Sequence, residues 1–307
     1  MNHDDDVWAP TEAPPVIPPG TPVLPPVPPE ERPLDPLTAL FMGVAYAGGL
    51  LVAFIVVNVA FYLMFPDSPR FVLLLSQVFG ILVPSLVLIA AGRRSTLYPF
   101  RPPHWFSGRG VFACLLLAIG SVLGANSIGA LWIAGLYRLA PGPTQQFSDF
   151  VEEQFALLLI ADTPINALLT LALVTITPAI CEEVAFRRCL QGYFLRGLPV
   201  AFSILLSSLI FSAFHLDPLG FWSRVFVGLA LGYLYHRTGS LLLAGACHAI
   251  YNGIAVAPLL WEMRKGHDVS LMPDLSDVQV LPQLGMFALG IVVSLFAAWL
   301  IRRRSTT

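Results

Sequence analysis

Long apolar stretches fill the chain from Leu37 onward, and short polar loops separate them. A helix needs about 20 predominantly apolar residues to cross the hydrocarbon core of a bilayer. The pattern therefore predicts about eight transmembrane helices, of which the fifth to seventh are shorter than the rest. Their predicted bounds are 39–65, 71–92, 110–137, 165–194, 199–215, 222–236, 239–258 and 283–301.

The composition agrees with this pattern. The chain is 56% hydrophobic and 12% charged, with a mean hydropathy of +0.74, whereas soluble domains carry about 25% charged residues. These values indicate an all-α polytopic membrane protein whose surroundings are the lipid bilayer. The net charge of −2 and the lack of a long basic stripe argue against nucleic acid as a partner. The four cysteines all lie in apolar stretches and are interpreted as small buried residues.

The first 36 residues differ from the rest of the chain. They contain many of the 27 prolines, often about three positions apart, as in Pro15, Pro18 and Pro22. This spacing is typical of a polyproline II segment without a packed core. We therefore expect two parts, a disordered proline-rich tail at 1–36 and a transmembrane domain at 37–304.

Loop charges predict the orientation, because cytoplasmic loops carry an excess of Lys and Arg. With the N-terminus inside, the inner loops hold Arg93, Arg94, Arg101, Arg109, Arg188, Arg196 and Arg237, and the outer loops are mainly acidic. Both termini are predicted to be cytoplasmic, and the tail favours a bacterial inner membrane. Between the third and fourth spans, Asp149 and Glu152 have the spacing of a helix-start cap, which predicts an interfacial helix from Asp149 to Asp162.

Three polar patches interrupt the apolar spans. The first is Glu182-Glu183 with Arg187, the second is Phe211 with His215, and the third is His248 with Asn252. At a rise of about 1.5 Å per residue, Glu182, His215 and His248 lie roughly 18, 24 and 13 Å from the inner ends of their spans. Three antiparallel spans would therefore bring the patches to a similar middle depth.

The spacing within each patch indicates which side chains can pair with each other and which one stays unpaired. Glu183 and Arg187 are four residues apart and can pair on one helix face, as can His248 and Asn252. Glu182 points away from Glu183 and is left free to act as a base. Each patch alone has a structural interpretation: an ion pair, a hydrogen-bonded histidine, or polar contacts between helices.

Taken together and in order, the motifs EExxxR, FxxxH and HxxxN resemble those of the CPBP family, the intramembrane proteases that include the CAAX prenyl endopeptidase. The resemblance covers roughly residues 165–257. It implies an intramembrane endopeptidase that cleaves a peptide or protein substrate at the membrane, either a C-terminal tail or a leader peptide. It also implies a catalytic set, which consists of Glu182, Glu183, Arg187, His215, His248 and Asn252.

The resemblance assigns roles that the residue chemistry permits. Glu182 would deprotonate a water as general base, and His215 would help to hold that water. His248 and Asn252 would donate hydrogen bonds to the oxyanion of the tetrahedral intermediate.

The sequence leaves open whether a metal ion takes part in activating the water. Glu182, His215 and His248 could ligate Zn²⁺ and leave one position for water. The chain lacks the HExxH motif of zinc proteases, so we favour water activation by glutamate without a metal. No other cofactor is predicted.

Two other functions fit parts of the pattern. Intramembrane Glu and His residues also form relays in ion- or proton-coupled transporters. Transporters usually show internal repeats, and this sequence has none that we detect. The other alternative is a catalytically silent membrane protein that acts in immunity or as a chaperone.

Overall fold

A computed structural model of the chain describes residues 33–91, 108–161, 163–267 and 278–302. Residues from Pro33 onward form one compact unit. The predicted proline-rich tail falls almost entirely on residues 1–32, which lie outside the described residues. Much of the loop charge behind the orientation lies at 92–107 and 268–277, also outside them, so the cytoplasmic placement of both termini stays a prediction.

The described residues are helical and include no strand, which confirms the all-α class. We number nine helices along them. They are α1 (Pro36–Met64), α2 (Pro69–Ala91), α3 (Gly108–Leu139), α4 (Pro141–Leu159), α5 (Pro164–Leu195), α6 (Val200–Ala213), α7 (Phe221–Thr238), α8 (Leu241–Arg264) and α9 (Val280–Arg302).

Six of these helices, α1, α2, α3, α5, α8 and α9, are long and apolar enough to cross a membrane. They make the chain an integral membrane protein. The prediction of about eight spans is not confirmed, although a helix lies at each predicted position. The 14 residues of α6 cover about 21 Å, less than the roughly 30 Å of a bilayer core, and α7 carries Arg224, His236 and Arg237.

The start of α4 was predicted wrongly. The helix begins at Pro141 rather than at Asp149, because proline fits the first helical turn, where its missing N–H is not needed. Asp149 lies inside the helix and accepts a hydrogen bond from Gln145 Nε2 at 2.7 Å. The predicted restart at Pro164 is confirmed, since α5 begins there and the Thr163 side chain caps it through Asn166 N.

Two apolar clusters hold the helices together. One joins α3, α7, α8 and α9 through residues such as Leu117, Leu231 and Cys247. The other joins α1, α2, α5 and α6 around Phe186 and Phe211. Helices of the two clusters pack against each other, α5 against α8 and α6 against α7. All four cysteines are buried and free, as predicted.

Two of the spanning helices contain a π-helical segment. The segment in α2 is Ser76–Leu82 and the one in α5 is Glu183–Gln191. A proline lies close to each, Pro84 after the first and Pro178 before the second, and proline removes one backbone donor from the helix. Single π-helical turns are frequent at functional sites, so both segments mark where polar side chains should be sought.

Helices α3 and α9 approach each other closely through small residues. A Cβ atom on Gly290 would meet the backbone of Gly124, and one on Gly120 would meet Ser294. Small residues four positions apart allow such close backbone contact between membrane helices. The α3–α9 contact therefore tolerates no larger side chain at Gly290.

Gly290→Leu should destabilise the fold by about 1–3 kcal/mol, the usual effect of overpacking. Gly285→Leu is the matched control, because a Cβ at Gly285 in the same helix would meet nothing within 4 Å. Thermal unfolding of the two purified variants in detergent measures the difference. Equal midpoints for both variants would contradict the close α3–α9 contact.

Candidate active site

Glu183 is the centre of the buried polar cluster. Its Oε2 accepts a hydrogen bond from Arg187 Nε at 3.1 Å, and its Oε1 lies 3.0 Å from His248 Nδ1. Arg187 is 0% exposed and Glu183 is 1% exposed. The predicted Glu183–Arg187 pair is confirmed, and His248 of α8 joins it as a third member, which links α5 to α8.

Glu182 has different partners from its neighbour. Its Oε2 lies 4.0 Å from His248 Nε2, which is too far for a direct hydrogen bond but suits a bridging water. Its carboxylate is almost entirely buried. Because Glu183 occupies Nδ1 of His248, the Nε2 atom of the same ring is directed toward Glu182.

Gln77 is a member of the cluster that the sequence reasoning missed. It lies in the π-helical segment of α2, and its Nε2 donates a hydrogen bond to Glu182 Oε1 at 3.2 Å. The signal for it was an amide inside an apolar span, and intramembrane polar groups are functional candidates by default. None of the three motifs has a residue in α2, so the motifs do not point to Gln77.

Phe211 lies at the junction of the three patches. Its ring packs beneath the Arg187 guanidinium at 5.0 Å and meets the rings of His215 and His248 edge-on at 5.0 and 6.1 Å. A cation over an aromatic face is stabilised most when both groups are removed from water. Phe211 therefore supports Arg187 and separates the two histidines.

His215 stands at the periphery of this cluster. The residue as a whole is exposed, its ring packs against that of Phe211, and Nδ1 lies 2.9 Å from the carbonyl oxygen of Phe211. Among the residues that the structure describes, His215 makes no hydrogen bond to Glu182, Glu183 or His248. Its place near the cluster comes from the contact with Phe211.

The turn after His215 is strained and firmly held. Leu216 has a φ of 53°, a left-handed conformation that is uncommon for a bulky residue. Asp217 Oδ1 accepts a hydrogen bond from Leu219 N at 2.9 Å, and Arg224 Nη2 donates to Asp217 Oδ2 at 2.8 Å. These contacts fix the backbone that carries His215.

Asn252 lies one turn beyond His248 on α8 and is half-buried. An apolar crevice of about 410 Å³ between α5 and α8 reaches Glu183. It is lined by Ile176, Ala179, Ile180, Val184, Leu241, Leu242, Gly245, Ala246 and Ala249. Glu183 thus lies beside an apolar crevice on the face between these two helices.

The predicted metal ligands are Glu182, His215 and His248, and zinc at these residues stays a prediction. In the described part of the chain, no group of three or more His, Cys, Asp and Glu side chains is placed to hold a metal ion. Oε2 of Glu182 lies 4.0 Å from Nε2 of His248, and Nδ1 of His215 contacts the carbonyl oxygen of Phe211, which leaves Nε2 as the ring nitrogen of His215 that could contact a ligand.

Residues 164–254 match a family described as "Rce1-like: Type II CAAX prenyl endopeptidase Rce1-like". The match supports the membership of the CPBP family that the three motifs indicate, and this is a protease family that acts on membrane-associated peptide substrates. The matched segment holds all six predicted catalytic residues and leaves out Gln77. No curated protein and no solved structure matches the chain.

Arg187→Met should lower the free energy of unfolding by about 3–5 kcal/mol, because it leaves Glu183 buried without its cation. The double variant Glu183→Gln with Arg187→Met removes both charges and should recover part of that loss. Denaturant unfolding in detergent compares the single and double variants. A double variant less stable than Arg187→Met alone would contradict the ion pair as the main role of Arg187.

Proposed function

We propose that this protein is an intramembrane endopeptidase in which Glu182 activates a water to hydrolyse a peptide bond of a membrane-associated substrate. One observation carries the proposal: two adjacent buried carboxylates have different partners. Glu183 binds Arg187 and His248, whereas Glu182 keeps Oε2 at 4.0 Å from His248 Nε2. Environments that separate two carboxylates in this way divide acid and base roles between them.

The reaction follows from the position of Glu182. A water between Glu182 Oε2 and His248 Nε2 gives a proton to the carboxylate, and its oxygen attacks the peptide carbon. The carbonyl electrons move to the oxygen and form the tetrahedral oxyanion. Glu182 then returns the proton to the leaving amine as the C–N bond breaks.

His248 is suited to stabilise the oxyanion. Its Nε2 lies on the side of Glu182 Oε2, at 4.0 Å. An Nε2–H group there would donate a hydrogen bond to the oxyanion, and one such donor contributes about 3–4 kcal/mol. Asn252 would be a second donor, and the exposed His215 would contact water or substrate at the edge of the site.

The crevice between α5 and α8 supplies a route for the substrate. It is apolar and reaches Glu183, the residue next to the proposed base, so a peptide segment or lipid-modified tail could approach Glu183 without crossing a charged surface. Both the C-terminal tails and the leader peptides suggested by the sequence fit this route. The family match favours a CAAX-type tail.

Glu182→Gln should keep the fold and lower the cleavage rate by about 100- to 10,000-fold, because the amide cannot take a proton from water. The measurement compares peptide termini in membranes that contain the wild-type or variant protein, followed by cleavage of the identified peptide in proteoliposomes. Glu262→Gln is the matched control, since Glu262 is an exposed carboxylate that pairs with Lys265 at the end of α8.

Normal turnover by Glu182→Gln would end the assignment of the base. Absence of substrate cleavage by the wild type, with full biological function retained by the variant, would favour the catalytically silent alternative. Ion or proton flux into proteoliposomes that depends on Glu182 would favour the transporter.

Chelation tests the proposal that no metal takes part. We expect a strong chelator to leave the cleavage rate within about twofold, because the chain lacks the HExxH motif of zinc proteases and no group of three or more His, Cys, Asp and Glu side chains among the described residues is placed to hold a metal ion. Loss of activity that one divalent ion alone restores would contradict direct activation of water by Glu182.

A further inference from the structure

Gln77 connects the candidate active site to a helix that no motif includes. It is 6% exposed, and its hydrogen bond to Glu182 Oε1 joins side chains 105 residues apart in the sequence. The neighbouring Ser76 is also buried and accepts a hydrogen bond from Asn58 Nδ2 of α1 at 3.1 Å. The π-helical turn of α2 is therefore tied to α1 on one side and to Glu182 on the other.

The hydrogen bond from Gln77 constrains the carboxylate of Glu182, which makes no ion pair with Arg187. Gln77 Nε2 occupies Oε1 of Glu182, and Oε2 is the oxygen that lies nearest to His248. An amide group turned the other way would place its oxygen against an ionised carboxylate, which is unfavourable. The observed orientation therefore suits Glu182 in the ionised form that a general base requires.

The other end of the amide has a separate feature. Oε1 of Gln77 is buried and has no hydrogen-bond partner among the described residues. Buried polar atoms are nearly always paired. Within the described structure the Gln77 amide is thus directed by its contact with Glu182 alone.

We propose that Gln77 is a positioning residue for the general base: it holds Oε1 of Glu182 so that Oε2 faces His248 and the reacting water. The proposal rests on the proposed function of Glu182. It differs from a role as a polar contact between helices because it predicts an effect on the rate of chemistry, beyond any effect on folding.

The chain offers a close control in Gln191. This residue is also a buried glutamine, its Nε2 donates to Gly232 O at 3.0 Å, and its Oε1 has no partner among the described residues. It lies in the π-helical segment of α5 but contacts α7 rather than the carboxylates. The same substitution at the two positions separates the loss of a buried amide from the loss of the contact to Glu182.

Gln77→Leu should lower kcat on the order of 100-fold, the effect of misplacing a catalytic group by about 1 Å, with KM changed by less than about threefold. Gln191→Leu should change kcat by less than about threefold. Gln77→Asn should not restore kcat, because its shorter side chain keeps the amide but withdraws it from Glu182. The measurement is steady-state cleavage in proteoliposomes at matched amounts of folded protein.

Infrared spectroscopy gives a second result that does not need activity. The difference between wild-type and Glu182→Gln spectra identifies the carboxyl band of Glu182. Gln77→Leu should shift this band and Gln191→Leu should leave it in place. An unshifted band, or a cleaving wild type whose kcat survives Gln77→Leu, would overturn the positioning role. A wild type that does not cleave would overturn the proposed function instead, and the band would still report on the contact.

Discussion

The hydrogen bonds that join Arg187, Glu183 and His248 require two helices, α5 and α8, to pack together in the interior of this membrane protein. A charged group within a bilayer carries a free energy of roughly 2.5–3.5 kcal/mol on insertion scales, and lipid tails provide no partner for it. Glu183 and Arg187 belong to α5, whereas His248 belongs to α8. The Glu183–Arg187 pair forms within α5, but the contact of Glu183 with His248 can form only when α5 and α8 lie side by side.

These contacts also give the two neighbouring glutamates, Glu182 and Glu183, different hydrogen-bond partners. Both oxygens of Glu183 are engaged, one by Arg187 and one by His248. Glu182 has one oxygen bound to the Gln77 amide and the other at 4.0 Å from His248. A carboxylate with both oxygens in strong contacts is a poor proton acceptor, which is why Glu182 is the base in the reaction we propose.

The sequence allowed the positions of the helices and the core of the site to be predicted, because apolar run length and four-residue spacing are local properties. The Glu183–Arg187 pair is an example. The contact of His248 with Glu183 was beyond such reasoning, since hydropathy places two residues at one depth but cannot decide which helix faces meet. The predicted start of the interfacial helix was wrong for a different reason. Asp149 and Glu152 have the spacing of a helix cap, but the helix begins earlier, at Pro141.

Gln77 shows where motif reasoning ends. The family match spans residues 164–254, yet Glu182 takes a hydrogen bond from α2, outside this segment. Regular α-helical spacing gives no reason to select Gln77, because the residue lies in a π-helical turn that changes which side chains share a face. The motif segment carries both carboxylates, but the direction of the Glu182 carboxylate depends on α2. The N-terminal helices therefore belong to the candidate active site as well as to its enclosure.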